Sequence, residues 1–175
     1  MKSTREKIEI HERAVNEMAK LCSEIVYKKT NSQPTVEQIT YKSSKFTKFT
    51  TPSGKAFAIA VQTRNCTSTK YPDIYIDKPT IHKMALLAKM MRCEVRLLVL
   101  FEDGKIIVID PMRDEYTISS EQVLPKRTFT NAIDKTLTNK IVHKYSKKPS
   151  KQTFDASWVY KGTREQTNDN NPKLF

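Results

Sequence analysis

The period of the apolar positions changes several times along the chain, and each change marks an element. From residue 4 to residue 28, Ile8, His11, Val15, Met18, Leu21, Cys22, Ile25 and Val26 recur at three-and-four spacing, which predicts one face of an amphipathic helix. Ser3 or Thr4 is suited to cap it, with Glu6 and Lys7 in the first turn. The polar segment 29–38, with Asn31 and Pro34 at its centre, ends the helix. Residues 39–43 and 45–51 carry Thr, Tyr and Phe in rough alternation, the pattern of two half-buried strands. Thr51-Pro52-Ser53-Gly54 is a turn by composition, because Pro presets one dihedral and Gly tolerates positive φ. The continuous apolar run 56–61 predicts a strand covered on both faces. Residues 73–77 (DIYID) predict a short strand.

Pro79 fits the first turn of a second helix, carried by Ile81, Met84, Ala85, Leu87, Ala88 and Met91 and ending near Arg92. Residues 94–101 (EVRLLVLF) form a strong strand pattern, 102–105 a hairpin turn around Gly104, and 105–110 the returning strand that Pro111 stops. Beyond Pro111 the pattern weakens. Residues 121–139 have some helical character, and 140–151 are Lys-rich and broken by Pro149. Phe154, Trp158, Val159 and Tyr160 make a last apolar patch, and 166–175 read as a disordered polar tail. The sum is an α/β (α+β) fold, a central mixed sheet flanked by helices in the order αβββαββ. A core domain is expected over 1–111, a basic C-terminal extension over 112–165 and the tail over 166–175.

Charge changes this picture most. Lys and Arg number 31 against 19 acids in 175 residues, a formal net charge of +12. Such a surplus repels itself in a compact chain and is relieved by a polyanion; the alternative is charge that serves only solubility. Cys22, Cys66 and Cys93 are far apart, with no CxxC pair to build a thiolate zinc site. Sparse cysteines suit a reducing compartment, the amino terminus lacks the apolar core of a signal peptide, and no apolar run reaches the roughly 20 residues that cross a bilayer. An intracellular location, cytoplasm or nucleus, with no membrane partner is therefore expected.

The cations cluster. No acid occurs from Gln38 through Pro72, where Lys42, Lys45, Lys48, Lys55, Arg64 and Lys70 lie among Tyr41, Phe46, Phe49 and Tyr71. Cations neutralise phosphates and release counterions, while exposed aromatics stack on unpaired bases. Strand alternation sends Lys45 and Phe49 to one face and Phe46 and Lys48 to the other, so phosphate contact is favoured over stacking. A second cluster comprises Lys126, Arg127, Lys135, Lys140, Lys144, Lys147, Lys148 and Lys151, an arm suited to tracking a backbone without reading sequence, or equally a solvated tail or localisation signal. No helix-turn-helix, zinc-finger or RNP motif is present.

Over residues 56–110, the apolar strand ending in Gln62-Thr63-Arg64, followed by YPDIYIDKPTIHKMALLAKMMRCEVRLLVLFEDGKIIVID, resembles in pattern the PD-(D/E)XK nuclease fold and, within it, the archaeal-type Holliday junction resolvases. The resemblance implies an Asp and a Glu holding a divalent metal beside a phosphate, and a Lys that positions water. The place of the E-x-K triplet reads Ala60-Val61-Gln62, and the preceding strand has no acid; Glu12 matches the helix-borne Glu of the family. The resemblance thus implies a degenerate centre with no metal and no cofactor.

Other chemistry is thinly represented. His11, His82 and His143 share no motif and read as surface or boundary residues. Asp73, Asp77 and Asp110 either gather at strand ends around a metal or serve turns and caps, and the second reading is favoured. Three glycines, Gly54, Gly104 and Gly162, are too few and too dispersed for a phosphate cradle. The expected function is non-catalytic nucleic-acid binding, DNA before RNA, in an accessory role in replication or recombination. The alternative is a subunit that docks an acidic protein partner, or a second copy, through the same basic surfaces, motivated by the aromatic patch Phe154, Trp158 and Tyr160, since Trp and Tyr anchor interfaces. A metal-dependent nuclease with a non-standard site is the third reading.

Overall fold

The computed structural model describes residues 2–123, 138–146 and 156–162. The first helix, α1 (Thr4–Thr30), opens on a capping box: the Ser3 hydroxyl accepts from the Glu6 amide, and the Glu6 carboxylate accepts from the Ser3 amide. Its last residue, Thr30, lies two beyond the expected end, and Asn31 in the left-handed region closes it. Ile10, Ala14, Met18, Leu21, Cys22, Ile25 and Val26 form its buried stripe. His11 lies beside that stripe and is half-buried.

Strands β1 (Thr35–Tyr41), β2 (Ser44–Thr50) and β3 (Ala56–Arg64) form an antiparallel meander. The first was expected at 39–43. It ends earlier because Lys42 and Ser43 both have positive φ, 46° and 63°, and make a two-residue hairpin turn. After β3 come β4 (Asp73–Asp77) and α2 (Lys78–Met91), then β5 (Glu94–Phe101) parallel to β3, and β6 (Ile106–Ile109) antiparallel to β5. The main sheet therefore runs β1-β2-β3-β5-β6, a mixed five-stranded sheet. β5 lies between two strands and under both layers, which explains the near-unbroken burial from Leu97 to Phe101.

The two faces carry separate cores. Alternation along β2 and β3 sends Phe49, Ile59 and Val61 to α1, and Phe46 and Ala58 to α2. Phe46 and Phe49 are both core residues, one in each layer.

A second sheet, β4-β8-β7, is built by β7 (Thr117–Val123) and β8 (Thr138–Ser146) against β4. The αβββαββ order thus omits β4 and these two later strands, and the helical character expected over 121–139 is replaced by strand at 121–123 and 138–139. Residues 140–146, expected in a flexible arm, are likewise strand. Pairing supplies the reason: Thr117 to Val123 find partners from Lys144 to Thr138, and local propensity yields to that ladder. Residues 124–137 and the tail 166–175 lie outside the described residues.

The short helix α3 (Trp158–Lys161) returns to the main sheet. Val159 is fully buried in the α1 layer, and the Arg13 guanidinium donates to its carbonyl at 2.9 Å. The Tyr160 hydroxyl accepts from the Arg64 amide at 3.1 Å and lies 2.8 Å from the carbonyl oxygens of Arg64 and Leu100. It closes the upper end of the parallel β3–β5 pair. Among the described residues, no helix is long and apolar enough to cross a membrane.

Candidate nucleic-acid interface

The paired register of β2 and β3 begins at Thr47–Ile59 and continues to Thr50–Ala56. Above Thr47 the two strands diverge, and a cleft of about 540 Å³ opens between Ser44, Lys45 and Phe46 on one side and Ala60, Val61 and Gln62 on the other. Because α1 and α2 cover opposite faces, the gap is walled from both: Lys7, Ile8, His11 and Glu12 come from α1, and Thr80, Lys83 and Met84 from α2. Thr47, buried at the apex, is tied to β1 on its other side, where its hydroxyl accepts from the Gln38 side-chain amide at 3.0 Å.

Three lysines therefore meet one opening. Lys45 is exposed on β2, and burial together with the charge of Lys45 holds the His11 imidazole below its ordinary pKa of 6.5. Lys83 reaches across from α2, its ammonium donating to the Lys42 carbonyl at 3.0 Å and to the Ser44 hydroxyl at 3.2 Å. Those bonds pin the hairpin turn whose two central residues are both left-handed without being Gly or Asn. The cleft faces the N-terminal turns of both long helices, the ends where the macrodipole favours an anion. Glu12 is the only carboxylate among its described lining residues.

The other expected cations are distributed differently. Lys42 is exposed in the turn at the cleft's edge, with its ammonium 5.4 Å from the Tyr41 ring centroid. Arg64 is half-buried and committed: its guanidinium donates to the Tyr75 carbonyl at 2.7 Å and to the Gln62 side-chain oxygen at 3.2 Å. Lys70 lies over the Tyr71 ring in the loop after β3. Lys48 faces α2 opposite Glu37, and Lys55 sits in the turn at the far end of the sheet. Lys144 on β8 pairs with Asp73 at 3.2 Å. Lys126, Arg127, Lys147, Lys148, Lys151 and Phe154 lie outside the described residues.

Trp158 and Tyr160, the anchors of the protein-docking alternative, are both half-buried against the α1 core. The three aspartates considered for a metal do not gather. Asp77 caps α2 and accepts from the Thr80 hydroxyl at 2.6 Å, Asp110 binds Arg96, and Asp73 binds Lys144. Among the described residues, no group of three or more His, Cys, Asp or Glu is placed to hold a metal ion.

No family model, curated protein or solved structure matches this chain. Sequence reasoning named Lys42 and Lys45 but missed Lys7 and Lys83, which lie on helices outside the acid-free stretch. His11 was read as a boundary residue of the α1 stripe. The one available signal was the absence of acid at the start of α2, where Asp77 is followed by Lys78, Thr80, His82 and Lys83.

Proposed function

We propose that the chain is a non-catalytic nucleic-acid-binding protein, an accessory factor in DNA replication or recombination. Its phosphate site is the cleft between the diverging ends of β2 and β3. The observation that carries this reading is the convergence of Lys7, Lys45 and Lys83, from three different elements, on one opening that has a single carboxylate. Polyanion binding requires this kind of arrangement, because each phosphate neutralised releases condensed counterions. Lys42 at the rim and Lys70 in the loop after β3 extend the cationic surface.

The nuclease resemblance enters this reading without a catalytic claim. An antiparallel meander, a helix on each face and a parallel β3–β5 pair are compatible with that fold. Glu12, Ala60 and Gln62, the positions the resemblance assigns to the lost centre, line the same cleft. With one carboxylate there, a hard divalent cation lacks its anionic oxygens, and the cleft is left to bind phosphate without cleaving it.

The test is a titration of the purified protein against single-stranded, duplex and four-way-junction DNA at several salt concentrations. Affinity should fall steeply with salt. Lys45→Gln and Lys83→Gln should each weaken binding and flatten the logarithmic salt slope by about 0.7 for a single strand. Salt-insensitive binding, or wild-type affinity in the double variant, would overturn the reading.

A further inference from the structure

At the end of the main sheet where β3 and β5 begin, a cavity of about 850 Å³ opens between the last turns of α1 and α2. It shares no residue with the phosphate cleft, which lies toward the other end of β3. Its apolar floor is open to solvent: Ala56, Phe57, Ala88 and Cys93 are each half-buried. Met112, a further lining residue, is 60% exposed, and its unbranched thioether adapts to the shape of what it covers. A volume of this size falls within the range of small-molecule sites, about 300–1,000 Å³.

Five cations line the cavity, Lys29, Lys55, Arg92, Arg96 and Arg113, against two carboxylates, Glu94 and Asp110. Both carboxylates are engaged. Glu94 accepts from Arg96 at 2.8 Å and from Arg113 at 2.7 Å, and Asp110 binds Arg96. Lys55 and Arg92 are exposed, and their side chains carry no ion pair among the described residues. Cations at a helix C-terminus can serve the macrodipole alone, but each helix end supplies only about −0.5 of a charge, too little to balance this surplus. Arg92 also stands in left-handed backbone, φ 50° and ψ 43°, where Gly or Asn is favoured. Glycine there would relieve the backbone and remove the cation from the rim.

We propose that this cavity binds a small organic anion. Its phosphate or carboxylate lies between Lys55 and Arg92, and its apolar body covers Ala56, Phe57, Ala88 and Met112. The guanidinium offers paired donors that fit either oxyanion, and burial of the half-exposed floor adds the hydrophobic contribution. Because the site is separate from the phosphate cleft, anion binding and DNA binding can fail independently.

The test uses the full chain with anilinonaphthalene sulfonate as a fluorescent probe, displaced by octanoate and by adenosine monophosphate. Each competitor is run beside its uncharged counterpart, octanol or adenosine, and beside inorganic phosphate. One of the two anions should displace the probe at about a tenfold lower concentration than its uncharged counterpart or phosphate. Octanoate in that place makes the body acyl, and adenosine monophosphate makes it aromatic. The same anion should slow alkylation of Cys93, which lines the cavity, and leave Cys66, which does not, unaffected. Arg92→Gly should raise the thermal midpoint while weakening the anion about tenfold, a combination that misfolding does not produce. Lys55→Gln should weaken it in the same direction. Displacement by neither anion, equal displacement by the uncharged compounds or by phosphate, unchanged Cys93 alkylation, or wild-type affinity in both variants would overturn the inference and leave the proposed function standing.

Discussion

At the scale of single residues, Tyr160 concentrates more structural consequence than any of the lysines. Its hydroxyl serves an amide and two carbonyls at the end of the β3–β5 pair. Burial pushes its phenol well above the ordinary range, with the Arg64 hydrogen bond acting in the opposite sense. Tyr160→Phe keeps the ring and strands those groups, so unfolding free energy should drop by about 1–3 kcal/mol in urea denaturation. DNA affinity of the folded protein should not change. An unchanged urea midpoint would mean that water satisfies the strand ends equally well. The sequence named Tyr160 as a docking anchor because an aromatic in a weakly patterned stretch carries no sign of where it points. Its bonds to Arg64 and Leu100, 96 and 60 residues away, are invisible to any local pattern.

Elements whose pattern repeats over several turns or alternations were legible. The bounds of β5 agree with the apolar run that predicted it, and both long helices begin within a residue of their expected starts. Elements defined by partners were not. β8 lies between β4 and β7, and its lysines conceal a strand whose Val142 and Tyr145 are buried. The β1–β2 turn was missed for a different reason: Lys42-Ser43 lacks the Asn-Gly signal that positive φ at both central positions favours. Replacing the pair with Asn-Gly should relieve left-handed strain and raise stability by about 1 kcal/mol, read as a higher thermal midpoint. A lower midpoint would show that the Lys83 bond to the turn depends on the native residues. The cleft itself could be named only in part, since its walls come from α1, β2, β3 and α2 and only their packing brings Lys7 and Lys83 to Lys45.

For the molecule as a whole, the buried ionisable groups set a stability window. His11 and His143 are both held below their ordinary 6.5, chiefly by burial and then by Lys45 and Lys78 respectively. The unfolded chain therefore takes up protons first, and stability should decline as pH falls from about 6.5. Burial pushes the Cys22 thiol from 9.0 up to about 12 and the Tyr145 phenol from 10.0 up to about 12. Those groups ionise first in the unfolded chain, so stability should also decline as pH rises above about 9. Urea midpoints across the range should form a plateau between these limits. In the double variant His11→Gln, His143→Gln the acid shoulder should shrink, and a shoulder of unchanged size would assign it to the carboxylates.

The parting of β2 from β3 also affects motion. With rungs only from Thr47–Ile59 to Thr50–Ala56, the β1–β2 hairpin is fastened to the rest of the sheet at one end, like a blade on a rivet. Its upper half answers to Lys83 and to whatever occupies the gap. A bound molecule would then hold the blade shut, and the backbone amides of residues 44–46 and 60–62 should exchange with deuterium more slowly on both sides of the sheet at once.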